Sequence, residues 1–250
     1  MKNENYEKED WGDKTDCGFW QYKGGACIYM NEYEEKLKGV VKGKVIVYID
    51  AANLEQSVKD MFVRPDDIPE NLKHSLTDVL KWSVDYQRLR DFFKTIGDFQ
   101  GLRFYTAEFS GERHHKFRYF LDKRLKFKLI TKPLKEYKDH TSETPHRKAN
   151  FDVEIAVDSV FSINDFDTII LFSGDCDFEY LIKFLRGKRK VVIGFSRSGH
   201  VAKELPRALS HYFDIANFRT TFMKVIQKQR VPDLSARNPA IDVIWHYYQM

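Results

Sequence analysis

Apolar positions along the chain fall into two kinds of run that take turns. Residues 45–49 (V-I-V-Y-I), 102–107, 127–131, 166–172 and 191–195 are short, nearly continuous and rich in β-branched and aromatic residues. That is the pattern of strands buried on both faces. Between them, apolar residues recur three and four apart, which predicts helices. These cover 54–62, 82–96 (Val84, Leu89, Phe92, Phe93, Ile96), 112–125 (Phe117, Phe120, Leu121, Leu125 inward) and 151–161 (Val153, Ala156, Val157, Val160 inward). Two more cover 178–186, stopped by Gly187, and 201–209. Residues 212–215 read as a short sixth strand and 218–228 as a terminal helix. Strands alternating with helices predict an α/β fold, a mostly parallel central sheet with helices on both faces.

The remaining segments lack a period. Residues 1–40 scatter aromatics among charges, 64–82 form a polar insertion broken by Pro65 and Pro69, and 134–148 form a long basic loop. Residues 229–250 are a tail with an apolar stretch at 241–248. The expected organisation is an acidic aromatic arm at 1–40, one domain at 41–215 and a C-terminal helix and tail at 216–250.

Two strand-to-helix junctions carry acids. The first strand ends in Asp50-Ala51-Ala52-Asn53, and the strand at 166–172 ends in Ser173-Gly174-Asp175-Cys176-Asp177. A single such turn reads as helix capping, where aspartate is favoured. Two turns at the carboxyl ends of strands, where ligands bind in open α/β sheets, read as a site. Asp152, at the start of the helix leading into the fourth strand, reaches the same edge in a right-handed crossover. Clustered carboxylates repel unless a cation joins them. An all-oxygen set suits Mg²⁺ or Mn²⁺, which activate water and neutralise phosphoryl oxygens. Asn53 and Ser173 stand beside the acids as orienting groups.

Charge supplies the other half of that chemistry. The net charge of +4 over 250 residues is only mildly basic. Residues 112–148, however, hold twelve Lys and Arg against five acids, and residues 1–36 hold nine acids against five Lys. A basic surface for a phosphate backbone follows, with Arg113, Lys116, Lys135, Arg147 and Lys148 as substrate-binding candidates and the acidic arm able to lie against them. RNA or DNA is the expected partner. The composition excludes other phosphate chemistries: there is no Walker or dinucleotide glycine loop, and Ala52 stands where an aspartyl-phosphate phosphatase carries its second acid. No serine has a nucleophile-elbow context, and His114-His115 reads as a solvated pair on a basic helix. Three cysteines without zinc spacing, no signal peptide and no membrane-length apolar run point to a cytoplasmic protein without a membrane partner.

Three separated motifs carry a resemblance: Y-I-D-A-A-N-L at 48–54, K-A-N-F-D-V-E-I-A-V-D at 148–158 and I-L-F-S-G-D-C-D-F at 170–178. With R-F-Y-T-A at 103–107, they make residues 44–215 similar to the NYN domain, the LabA-like branch of the PIN-like nucleases. The resemblance implies a PIN-like Rossmannoid sheet and a divalent-metal site acting on RNA. Asp50, Asp152, Asp175 and Asp177 match the acidic cluster, with Asn53 and Ser173 supporting it; Asp158 is expected to be structural. The function expected is a metal-dependent ribonuclease. The alternative is a non-catalytic RNA- or protein-binding regulator on the same fold, and a homodimer is compatible with either.

Overall fold

The computed structural model describes residues 19–23, 26–73, 80–137 and 146–228, without the side chains of 19–30, 135–137 and 146–148. The chain divides into two compact units, Met1–Gly39 and Val40–Met250. In the first, β1 (Phe19–Lys23) and β2 (Ala26–Met30) form an antiparallel hairpin, followed by helix α1 (Glu32–Val40). This segment was expected to be patternless. The acidic stretch before it lies outside the described residues.

The second unit continues with β3 (Lys44–Asp50), α2 (Ala51–Lys59), β4 (Leu80–Val84), α3 (Tyr86–Lys94), β5 (Asp98–Glu108) and α4 (Glu112–Tyr119). Then come β6 (Lys128–Pro133), the short strands β7 (Lys135–Tyr137) and β8 (His146–Lys148), α5 (Asp152–Phe161) and β9 (Thr168–Phe172). The described chain closes with α6 (Glu179–Gly187), β10 (Val191–Ser196), α7 (Leu205–Ala208), β11 (His211–Asp214), α8 (Arg219–Phe222) and β12 (Met223–Gln227).

Six strands form the central sheet in the order β11-β10-β9-β3-β5-β6, every neighbouring pair parallel. Strand order reverses between β3 and β9, so the carboxyl ends of these two strands flank the topological switch point, where open α/β sheets open a crevice. Each sheet face is sealed differently. On one, Phe93, Phe172, Phe195, Phe213, Phe218 and Phe222 pack ring to ring, with Phe172 stacked on Phe195 at 4.9 Å. On the other, Ile46, Tyr48, Tyr105, Ile169, Leu171 and Val192 meet Ile155 of α5 and Leu181, Ile182 and Leu185 of α6.

Four local expectations are corrected. Residues 80–84 are a strand, not the start of a helix: Leu80, Trp82 and Val84 are buried in alternation and pair antiparallel with β12. Their L-K-W-S-V pattern has a period of two, hidden by the helical stripe that begins just after it. Residues 218–228 accordingly are a short helix and then β12 rather than one helix. The loop at 134–148 contains the β7–β8 pair. Finally, the buried side of α5 is Ile155 and Ser159, while Val153, Val157 and Val160 are exposed. Tyr105 and Arg103 decide this rotation by binding Asp158, the tyrosine hydroxyl donating at 2.9 Å and the guanidinium pairing at 3.2 Å. Those contacts make Asp158 structural.

Candidate metal centre at the switch point

Ile49 of β3 lies level with Phe172 of β9, and Phe172 with Phe195 of β10. The next residues, Asp50, Ser173 and Ser196, therefore form a polar row immediately above an apolar one, and all three are buried. Apolar residues below hold the strands rigid; the polar row is what the strands deliver.

Asp50 caps α2. One carboxylate oxygen accepts the backbone N–H groups of Ala52 (3.1 Å) and Asn53 (3.4 Å), and the other accepts the Asn53 side-chain amide at 2.6 Å. Burial pushes the Asp50 carboxyl above its usual range, the hydrogen bonds from Asn53 and Ala52 pull it back, and the negative charge of Asp152 adds to the rise. A buried carboxylate raised in this way favours any partner that brings positive charge. Asp152 enters from the first turn of α5, where its N–H donates to Asn150 Oδ1 at 2.9 Å. The N-cap position of this helix is Phe151, which has no side-chain cap, and Asn150 closes a turn just ahead of it.

The second acidic turn is joined to the first. Gly174 N–H donates to Asn53 Oδ1 at 3.3 Å, so the Asn53 amide bridges the two junctions. Ser173 Oγ accepts the Asp175 N–H at 3.2 Å, and Asp175 accepts the Asp177 N–H at 3.1 Å, opening the 3-10 turn Cys176–Phe178. Ligand atoms of Asp175, Cys176 and Asp177 lie within 4.8 Å of one another. Hard divalent ions take carboxylate oxygens in preference to a thiol, so Asp175 and Asp177 are the natural donors of this group. The turn leaves no room for a side chain at 174. A Cβ there would stand 2.6 Å from the backbone oxygen of His200, whose loop is tied down by Ala202 N–H donating to Gly174 O at 3.1 Å.

Three features escaped the sequence reading. Glu55, in the second turn of α2, has a carboxyl raised well above its usual range by burial and by the charge of Asp50. An acid at that point of a helix resembles any surface acid in sequence. At the same sheet edge, Ser196 Oγ and one guanidinium nitrogen of Arg197 are buried without a hydrogen-bond partner. His114 was expected in solvent and is instead buried against Phe109, its imidazole pushed down to about 4 by burial first and then by Arg118 and His115. Of the substrate-binding candidates, Arg113 and Lys116 are exposed on α4, with Lys116 paired to Glu112 at 2.8 Å. Side chains of Lys135, Arg147 and Lys148, on β7 and β8, lie outside the described residues. No helix among the described residues is long and apolar enough to cross a membrane.

Comparison with known proteins shows the family of the chain. The NYN domain matches residues 44–216. The chain is 31% identical over 163 residues to the low amplitude and bright protein LabA of Synechococcus elongatus, covering 64% of this chain and 85% of that one. A solved structure of a protein of unknown function from Vibrio parahaemolyticus aligns with a TM-score of 0.49 at 17% identity, over 70% of this chain and 93% of the other. The match spans both acidic turns and every strand of the central sheet, and the chain belongs to the NYN domain family, with the PIN-like, nuclease-type fold of that family.

Proposed function

We propose that this protein is a divalent-metal-dependent nuclease that hydrolyses RNA phosphodiesters. The observation that carries the reading is the Asn53 bridge. One side chain holds the buried Asp50 carboxylate and the backbone of the Ser173–Asp177 turn together at the strand-order switch. Asp152 stands near enough for its charge to act on Asp50.

The donor set fits a hard cation: all four acids offer carboxylate oxygen, and the buried one is destabilised in its ionised form. Ions held by Asp50, Asp152, Asp175 and Asp177 would supply a water activated for attack on phosphorus and would neutralise charge on the phosphoryl oxygens. The protein's own groups do the rest. Asn53 fixes the Asp50 carboxylate in one orientation, and Ser173 fixes the backbone at Asp175. One guanidinium nitrogen of half-buried Arg197, itself buried without an acceptor, would take a phosphate oxygen of the substrate. Arg113 and Lys116, with Lys135, Arg147 and Lys148, hold the flanking backbone through charge alone, which makes affinity fall with salt.

The test is cleavage of a mixed labelled RNA pool by the wild type and by Asp175→Asn, each with Mn²⁺ and with EDTA. Cleavage confined to metal-loaded wild type is the expected result. Absence of cleavage by both proteins, with salt-sensitive RNA binding retained by both, refutes the nuclease and leaves an RNA-binding module on the same fold.

A further inference from the structure

The β4–β12 pair is separate from the central sheet and packs against α2. One of its faces is apolar and closed, with Leu80, Trp82 and Val84 of β4 and Met223 and Val225 of β12 all buried. By the same alternation, Lys81, Ser83, Lys224 and Ile226 point the other way. Register sets Lys81 level with Ile226 and Ser83 level with Lys224. Lys228, exposed just past the end of β12, continues this side two residues beyond Ile226. Lys224, Lys81 and Lys228 therefore follow one another along the outer face in steps of two residues, about 7 Å each. Lys59, exposed in the last turn of α2, joins them from the side, where its charge acts on Lys81.

Acids do not match this row. Among the described residues, none of the four lysines forms an ion pair, whereas Lys73, Lys116 and Lys183 each pair with a glutamate of their own turn. The Lys81 ammonium is pushed below its usual range by burial first and then by the charges of Lys228 and Lys59, with Asp60 acting the other way. Like charges side by side on neighbouring strands destabilise the pairing, so the row favours an anion arriving from outside. An aromatic ring stands at its border. Phe62 O accepts Trp82 Nε1 at 3.1 Å, and the Phe62 side chain, three residues after Lys59, is 75% exposed.

We infer that the outer face of the β4–β12 ribbon is an RNA exosite, a track for a single strand that is distinct from the acidic edge. Helix α2 starts at Asp50 and carries Lys59 at its far end, about 13 Å away along the axis. Cations repeated every 7 Å or so suit the successive phosphates of an extended strand, and an exposed ring beside them gives a base a face to stack on. An acidic peptide would engage the lysines and leave the ring unused. The inference rests on RNA as the partner proposed above, and it stands whether or not the acidic edge cleaves.

Fluorescence anisotropy of a labelled oligouridine with the full chain, in EDTA and between about 50 and 200 mM salt, tests it. Without metal no cleavage intervenes, so failure of the exosite is read here and failure of the nuclease in the Mn²⁺ assay. The double variant Lys81→Gln/Lys228→Gln should bind more weakly, with a salt slope lower by roughly 1.4, two phosphate contacts at about 0.7 each. Phe62→Ala should weaken binding about 5- to 100-fold and leave the slope as it was. Tm of the double variant should not fall, since the substitutions relieve repulsion; a clear fall would show the lysines to be paired and overturn the inference. Wild-type affinity and slope in the double variant overturn it, as does a wild type that binds no oligouridine. Competition by polyglutamate as strong as by RNA, with Phe62→Ala silent, overturns it too and gives the face to an acidic protein.

Discussion

Asn53→Ala isolates the link between the two acidic turns. It removes a 2.6 Å hydrogen bond to a buried carboxylate and a 3.3 Å bond from a buried backbone N–H. A hydrogen bond to a charged group contributes about 1.5–3 kcal/mol and a long neutral one about 0.5–1. Alanine returns about 0.5 kcal/mol through better helix propensity. The net loss is about 2 kcal/mol, which for a domain of this size lowers Tm by about 4–8 °C. The measurement is thermal unfolding followed by circular dichroism in EDTA, at neutral and at acid pH. Sign follows from the carboxyl. Asp50 titrates above its ordinary value in the folded protein, so its own contribution to stability is lost as pH rises through the folded value, and Asn53 offsets that loss only while the group is ionised. The deficit of the variant should therefore be full at neutral pH and shrink as Asp50 protonates. A drop in Tm below about 1 °C at neutral pH refutes the reasoning; so does an equal drop under both conditions.

Gly174→Ala should cost about 1–3 kcal/mol, because its Cβ meets the His200 carbonyl and the 197–204 loop must move; a Tm equal to the wild type would show that loop to be free. His114→Phe should flatten the acid limb of stability. The imidazole stays neutral in the folded state down to about 4, so the wild type loses stability as pH falls from 6.5 toward that value, and the variant has no such group. Urea midpoints across that window check it, and an unchanged slope contradicts it. Asp158→Ala should cost about 2 kcal/mol by releasing Tyr105 and Arg103. Mn²⁺ affinity by calorimetry should be untouched, whereas a loss of metal binding would place Asp158 in the site.

What could be read from the chain alone followed from local patterns. Continuous apolar runs such as V-I-V-Y-I reveal buried parallel strands, because such strands are covered on both faces. Asp50 and Asp175 were legible because each stands where a strand pattern stops and a helix pattern starts. The exposed valines of α5 were not legible. Val153, Val157 and Val160 form as good a helical stripe as Ile155 and Ser159, and the packing of Ile155 in the core together with the binding of Asp158 to Tyr105 and Arg103 decides which stripe faces the sheet. The β4–β12 pairing was hidden for a related reason: its two strands are about 140 residues apart in sequence, and neither shows its partner in its own pattern.

The sequence by itself determined the alternation of strands and helices, the acids at two strand ends, the asparagine beside one of them and the family they resemble. These are properties of a few adjacent residues, set by backbone geometry and side-chain type. Tertiary structure alone decided that strand order reverses between β3 and β9, that one amide joins both acidic turns, that His114 is interior and that an apolar face of α5 and α6 is left in solvent. Each depends on which elements pack together, a choice made by the summed burial of the whole core and written in no single stretch of the chain.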